Sequence, residues 1–308
     1  MITHLVTHSG GFHADELLSS VILTRLYPQA EVVRTRDERW TTPGAGKIIY
    51  DVGRLFDPAM GIFDHHQKGA PLRADGQPYS SFGLIWAAYG ADYLAALQVP
   101  DADHAAVWAE IDSRFVLPVD LMDNGAVNPS EAGILAELTL PVLLEALKPP
   151  FDARGAAVED AGFARALEIA RAFLEAAVTQ AAARRRAEAV VMAQITAAGT
   201  SRILELPMGM PYRGAISRAG ADHLLFVIHP RDSDWALNGI RQSEDSFAQR
   251  ADLPASWAGL TDGALEAASG VKGAKFCHNG RFIAVATTRD AILAMAEIAV
   301  AEALAQVN

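Results

Sequence analysis

The chain opens with a short apolar, β-branched run over residues 2–7, broken by Ser9-Gly10-Gly11. Leu17, Leu18, Val21 and Ile22 then recur at the spacing of a helix with one buried face. The reading is strand, turn, then a helix over 14–26. Further apolar runs predict strands over 31–35, 47–51 and 61–64, with Pro43-Gly44 and Asp57-Pro58 as turn punctuation between them. Helical spacing returns over 80–98 and again over 102–123. Strands alternating with helices predict an α/β domain whose mostly parallel sheet is covered on both faces.

From 156 to 198 the pattern changes. The stretch is rich in alanine, with Phe163, Leu167, Ala170, Leu174 and Val178 at helical spacing; it has no proline, and no glycine between Gly162 and Gly199. It predicts one or two long helices acting as a connector. Its Arg184-Arg185-Arg186 run reads as a solvated helix face rather than a nucleic-acid contact. Beyond it, strand patterns at 202–206, 223–228, 235–241, 274–278 and 281–287 precede a closing helix over 288–306, which predicts a smaller α+β domain. The expected division is 1–155, 156–198 and 199–308. It agrees with a length of 308 residues at roughly 150 residues per domain.

Composition narrows the function classes. With 51% hydrophobic and 20% charged residues the chain can bury a sizeable core and is not a disordered type. The single cysteine, Cys277, excludes a disulfide scaffold and leans towards a reducing compartment, so a cytoplasmic protein is expected. No basic segment followed by an apolar core opens the chain, and no uncharged apolar run of roughly 18 residues occurs, so neither a signal nor a membrane span is expected. A net charge of −11 argues against holding duplex DNA by broad phosphate neutralisation.

Five of the nine histidines lie within the first 66 residues: His4, His8, His13, His65 and His66. Four of them adjoin a predicted strand end and an aspartate. His8 follows strand one, His13 and Asp15 lie in the turn entering the first helix, Asp51 ends strand three, and Asp64-His65-His66 ends the fourth element. All should project from the carboxyl edge of one sheet, where open α/β folds bind ligands. Asp123, at the end of a helical run, can return to the same edge. Imidazole and carboxylate ligands together suit manganese, zinc, iron or cobalt, and the set is too large for one ion and about right for two. Three carboxylates, Asp15, Asp51 and Asp123, set against two divalent ions leave about one positive charge, which points to a phosphate-bearing substrate.

The residues also carry a resemblance. Thr7-His8-Ser9-Gly10-Gly11-Phe12-His13-Ala14-Asp15-Glu16, Val33-Arg34-Thr35-Arg36-Asp37, Asp51-Val52-Gly53, Phe63-Asp64-His65-His66-Gln67 and 119–125 resemble the MYG family. Similarity continues through Ser80-Ser81-Phe82-Gly83, Ser246-Phe247-Ala248-Gln249-Arg250 and Ser269-Gly270, and so covers nearly the whole chain. Members of this family are metal-dependent hydrolases similar to the DHH phosphoesterases. The resemblance implies a DHH-like catalytic domain with two divalent ions, manganese first and zinc, iron, cobalt or magnesium as alternatives. It also implies a C-terminal substrate-binding domain.

By the same resemblance, His8, His13 and Asp51 hold one ion, while Asp15, Asp51, His65 and Asp123 hold the other, with Asp51 bridging. Asp64 orients a ligand histidine, and His66 faces the phosphate. The implied activity is phosphodiester hydrolysis. Eukaryotic relatives, found in nucleus and mitochondria, are described as 3′ to 5′ exonucleases on RNA, so single-stranded RNA or short oligonucleotides are the expected partners. Small phosphates such as pyrophosphate, nucleotides or cyclic dinucleotides are the alternative substrates, and a non-catalytic metal- or nucleotide-binding scaffold is the alternative role.

This sequence departs from the wider pattern in two places. His13 stands where DHH enzymes outside the family usually carry aspartate, and Ile283-Ala284-Val285-Ala286-Thr287 replaces a glycine-rich stretch with a histidine. Arg34 on the predicted strand and Arg36 just past its end, two apart and so on one face by strand alternation, are candidates to steer phosphates or to pair with Asp37 or Glu38. Lys272, Lys275, Arg281 and Arg289 are candidates to hold a polynucleotide tail. Cys277-His278 does not read as a nucleophilic pair, because neighbours on a strand point to opposite faces. His223 and His229 read as core or surface histidines sharing one strand face.

Overall fold

The computed structural model describes residues 1–153, 155–243 and 246–306. The chain divides into two compact units, Met1–Ala182 and Ala183–Asn308.

The first unit begins with β1 (His4–Thr7), α1 (Ala14–Leu26), β2 (Glu31–Arg34), α2 (Glu38–Thr41), β3 (Lys47–Tyr50), β4 (Phe56–Asp57) and β5 (Ile62–Phe63). The strands form one sheet in the order β2-β1-β3-β5-β4. Four of them run parallel, and β4 closes the edge antiparallel to β5. Alternation along each strand sends residues to opposite faces. Leu5, Ile48, Tyr50 and Phe63 join the large core with Leu17, Leu18 and Phe82, while Val6, Ile49 and Ile62 pack under Val33 and Trp40. The sheet is thus mixed and mostly parallel, with both faces covered. The two-residue β4 lies where the sequence shows turn punctuation, being too short to register as a period.

The helices α3 (Ser81–Ala96), α4 (His104–Ile111), α5 (Leu117–Asp123) and α6 (Leu140–Glu145) follow. The helical run expected over 102–123 is interrupted by a π-helical turn at Asp112–Val116 that joins α4 directly to α5. Pro118 has no N–H to give the carbonyl one turn back and its ring crowds that carbonyl, so a widened turn just before it lets the helix continue.

The long helix is a single element, α7 (Ala156–Ala198), and the boundary between the units falls inside it. Phe163, Ala166, Ala170, Leu174 and Val178 belong to the core of the first unit; Val191 belongs to the second.

The second unit comprises β6 (Ile203–Glu205), α8 (Arg213–Arg218), β7 (Phe226–Pro230), β8 (Trp235–Gly239), α9 (Asp262–Ser269), β9 (Ala274–Cys277), β10 (Ile283–Ala286) and α10 (Arg289–Ala305). Its sheet order is β6-β7-β8-β10-β9, parallel only between β6 and β7. β7 starts three residues after His223, because residues 221–225 turn back on themselves through a Leu224 N–H to Ala221 carbonyl bond; His223 and His229 therefore do not share a strand. Cys277 is buried and His278 exposed. No helix among the described residues is long and apolar enough to cross a membrane.

Candidate metal centre

Because β1, β3 and β5 are parallel, their carboxyl ends lie on one edge, and the chain turns there three times. His8 leaves β1, and the loop after it carries Gly10 at φ 97, a backbone conformation that glycine adopts without strain. The loop delivers His13 to the start of α1, where both oxygens of Glu16 accept from the His13 N–H at 2.8 Å. This tie fixes the first turn of α1 and places two acidic residues at a helix N-terminus, where the backbone dipole favours negative charge. Asp51 leaves β3 at φ 56, a left-handed conformation that aspartate tolerates better than most residues. At the end of β5, Asp64 accepts from the N–H groups of Arg54, His65 and His66 at 2.6, 2.7 and 3.1 Å, which shapes the turn carrying both histidines.

These turns bring the expected metal-binding residues together. His8 Nε2 lies 3.1 Å from Asp51 Oδ2, and His65 Nε2 lies 3.2 Å from Asp51 Oδ1, so the two oxygens of one carboxylate face two different histidines. His65 Nε2 also stands 3.3 Å from Asp123 Oδ2 and 3.9 Å from Asp15 Oδ2. His8, His13, Glu16 and Asp51 form one group of converging ligand atoms; Asp15, His65 and Asp123 form a second. Asp15 Oδ2 accepts from Ser81 Oγ at 2.8 Å, whereas Asp15 Oδ1 is buried with no hydrogen-bond partner. A buried, unpartnered carboxylate oxygen among other carboxylates is the donor set that a divalent cation satisfies, and these residues fit such ions.

The electrostatics point the same way. Burial, and then the charges of Asp15 and Asp51, push Asp123 up to about 9. Burial raises Glu16 to about 8 and also raises Asp15. Burial opposes ionisation of Asp51, but hydrogen bonds with His65 and His8 overcome it and hold its carboxyl below the usual range. The two imidazoles are desolvated, yet their carboxylate partners lift His8 to about 10 and His65 to about 9. The raised carboxyls share one cause, burial beside other carboxylates, and that is the setting a divalent cation stabilises.

Asp64 has a different partner from the one the resemblance implied. It holds His66 Nδ1 at 2.7 Å and so raises that imidazole; the ring of His65 is instead met by Asn124 Oδ1 at 3.3 Å from Nδ1. The His66 side chain is 56% exposed, so its other nitrogen is open to a ligand.

Arg34 is also corrected. It ends β2, its side chain is 4% exposed, and it bonds Asp160 at 2.7 Å and the Gly10 carbonyl at 2.5 Å, with Phe163 under its guanidinium. It ties the loop carrying His13 to α7 and has no free face for a phosphate. Arg36 lies beyond the strand and is exposed, while Asp37 pairs with Arg39. In the second unit Lys272 is exposed, Lys275 and Arg281 pair with Asp234 and Asp252, and Arg289 is held by Glu205 through two bonds of 2.6 Å.

Sequence reasoning missed Glu16, Ser81, Asn124 and a supporting network around Asp120. That buried carboxylate accepts from the Ser80 N–H and hydroxyl at 3.1 and 2.6 Å, from the Gly83 N–H at 3.1 Å, and from Arg73 at 2.7 Å. It fixes the start of α3, next to the Ser81 that touches Asp15. A Cβ on Gly83 would lie 2.2 Å from Asp120 Oδ2, which explains the glycine.

The MYG1_exonuc family model, described as an uncharacterised protein family (UPF0160), matches residues 4–300. A MYG1 exonuclease from Bos taurus is 31% identical over 323 residues, covering 96% of this chain and 84% of the relative. The Homo sapiens MYG1 exonuclease is 31% identical over 331 residues, covering 96% and 85%. Among solved structures, RecJ in complex with Mn2+ from Thermus thermophilus aligns over 98% of this chain and 52% of that one, at 16% identity and a TM-score of 0.26. An exonuclease RecJ bound to manganese aligns over 98% and 90%, at 18% identity and a TM-score of 0.26.

Proposed function

This chain belongs to the MYG1 exonuclease family, and on that premise we propose that it hydrolyses phosphodiester bonds with two divalent ions, removing nucleotides from the 3′ end of RNA or short oligonucleotides. The observation that carries the two-ion reading is Asp51, whose oxygens face His8 and His65 separately at 3.1 and 3.2 Å. His8, His13 and Asp51 would hold one ion; Asp15, His65 and Asp123, with Asp51, would hold the other. Divalent ions bound there supply Lewis acidity, lowering the pKa of water and neutralising charge at the phosphoryl group.

The chain's own residues provide the rest. Asp51 fixes the spacing of the two groups because its backbone is pinned at a strand end. Ser81 and Asn124 orient Asp15 and the His65 ring, so the site is shaped before substrate arrives. Asp64 keeps a proton on Nδ1 of His66 and aims the exposed side of the ring outward, where it contacts a phosphate or leaving oxygen. Among the described residues, exposed Arg36 in the first unit and exposed Lys272 in the second, each taken by itself, are the candidate cations left without a partner role and available to a phosphate backbone.

The test is a hydrolysis panel with Mn²⁺, Zn²⁺ or Mg²⁺ against 5′-labelled 5-mer and 20-mer RNA, pyrophosphate and a cyclic dinucleotide. A metal-dependent ladder shortening from the 3′ end supports the proposal. Turnover of pyrophosphate alone, or metal binding with no cleavage, overturns it.

A further inference from the structure

Glu16 is wholly buried in the first turn of α1, and the two-ion reading leaves it without a part. Its carboxylate caps the His13 N–H, yet it also aims Oε1 at His8 Nε2, 3.1 Å away. The His8 ring settles what that contact is. Its Nδ1 stands 3.2 Å from the Ser9 carbonyl, which can only accept, so Nδ1 carries a proton and Nε2 is the ring atom left to face the cluster. Nε2 meets Glu16 Oε1 and Asp51 Oδ2, each at 3.1 Å. In the metal-free protein a proton on Nε2 joins the three atoms; a divalent cation can replace that proton, because all three then direct lone pairs at one point. An ion with bonds of about 2.1 Å holds adjacent ligand atoms roughly 3 Å apart, which matches the observed spacing. Ligand atoms of His13 complete the group within 4.8 Å.

We propose that Glu16 is a ligand of one ion only, so that the two ion positions are chemically unequal. This rests on the two-ion reading. The first position then has two imidazoles, Glu16 and the shared Asp51; the second has one imidazole, two carboxylates of its own and the shared Asp51. The nitrogen-rich position selects manganese, zinc or cobalt over magnesium, and the oxygen-rich one accepts magnesium more readily. Glu16 also removes the surplus positive charge expected from three carboxylates: four balance two divalent ions. Attraction for a phosphate then falls to His66 and to cations outside the ligand set.

The test is a calorimetric Mn²⁺ titration of the full chain, with bound metal counted by elemental analysis. Glu16→Gln keeps an oxygen to cap the His13 N–H while removing the charge, so α1 stays intact. Wild type should show two classes of site. Glu16→Gln should weaken one class by about 100-fold or more and spare the other. The exposed His13→Gln should strike the same class, and Asp123→Asn the opposite one. Glu16→Gln titrating like wild type overturns the proposal, whatever the number of ions. One ion in wild type that is lost in Glu16→Gln supports Glu16 as a ligand and overturns the two-ion reading instead. No binding by wild type overturns both.

Discussion

Replacing Asp51 by asparagine separates the charge of the shared carboxylate from its backbone role. Asparagine tolerates the left-handed conformation at φ 56 as well as aspartate does, so the turn after β3 should survive. The side chain keeps one accepting oxygen, for either His8 or His65, and loses the other. A hydrogen bond to a charged group contributes about 1.5–3 kcal/mol, so the metal-free variant should lose about that much. For a unit of this size, about 2–4 °C per kcal/mol gives a fall of roughly 3–12 °C in melting temperature. On the proposed two-ion reading turnover should suffer far more, because a ligand common to both ions would act on the whole transition state. A loss of about 1,000-fold corresponds to about 4 kcal/mol. The assay is nucleotide release from labelled 20-mer RNA at saturating Mn²⁺, with circular dichroism as the folding control. Cleavage within about tenfold of wild type by a folded variant would refute the shared role of Asp51. Asp51→Ala should melt lower still, by a further 1–2 kcal/mol or so for the backbone.

The metal-free protein should become less stable as pH rises, from about 4 for its two raised carboxyls and from about 6.5 for its two raised imidazoles. His8 and His65 are raised to about 10 and about 9, so the stability they contribute is complete below the unfolded imidazole value and is lost through those pKa values. Glu16 and Asp123 keep protons that the unfolded chain releases near pH 4, and shed them near 8 and 9, which works in the same direction. The rise in melting temperature on adding Mn²⁺ should therefore be larger at pH 8.5 than at pH 6; the reverse order in thermal melts contradicts the assignment. Asp120→Asn breaks a buried pair with Arg73 and should cost about 3–5 kcal/mol, or about 6–20 °C by the same conversion; an unchanged melt would show that the network is dispensable. Arg34→Ala should lower the melting temperature, whereas Arg36→Ala and Lys272→Ala should leave it unchanged, raise KM for the 20-mer and reduce its salt dependence; equal effects of all three on KM would return Arg34 to the substrate.

The strand-turn-helix opening and the helix over 156–198 were legible because their periods are long or sharply punctuated. The histidine and aspartate positions were legible because parallel strands put their carboxyl ends on one edge whatever the loops do. Glu16 was not, since a carboxylate three residues into a helix reads as an ordinary cap, and here it caps and faces His8 at once. Ser81 and Asn124 come from helix ends distant in sequence, and no local pattern ties them to Asp15 and His65. Arg34 was misread because strand alternation gives a side chain's face and not its partner: Asp160 is 126 residues away. Pro118 within the run over 102–123 was the one local sign of the π turn.

That π turn makes the interval from Asp112 to Asp123 a ruler. Arg73 meets Asp112 at the first residue of the widened turn and Asp120 after it, while Asp123, one turn later, reaches His65. Deleting one residue between them would rotate everything downstream by about 100° and slide it by about 1.5 Å, taking two aspartates out of register with both partners. Substitutions on the outer surface of this segment can drift freely; insertions and deletions cannot. Across homologous chains, the count of residues in this interval should vary less than their identities.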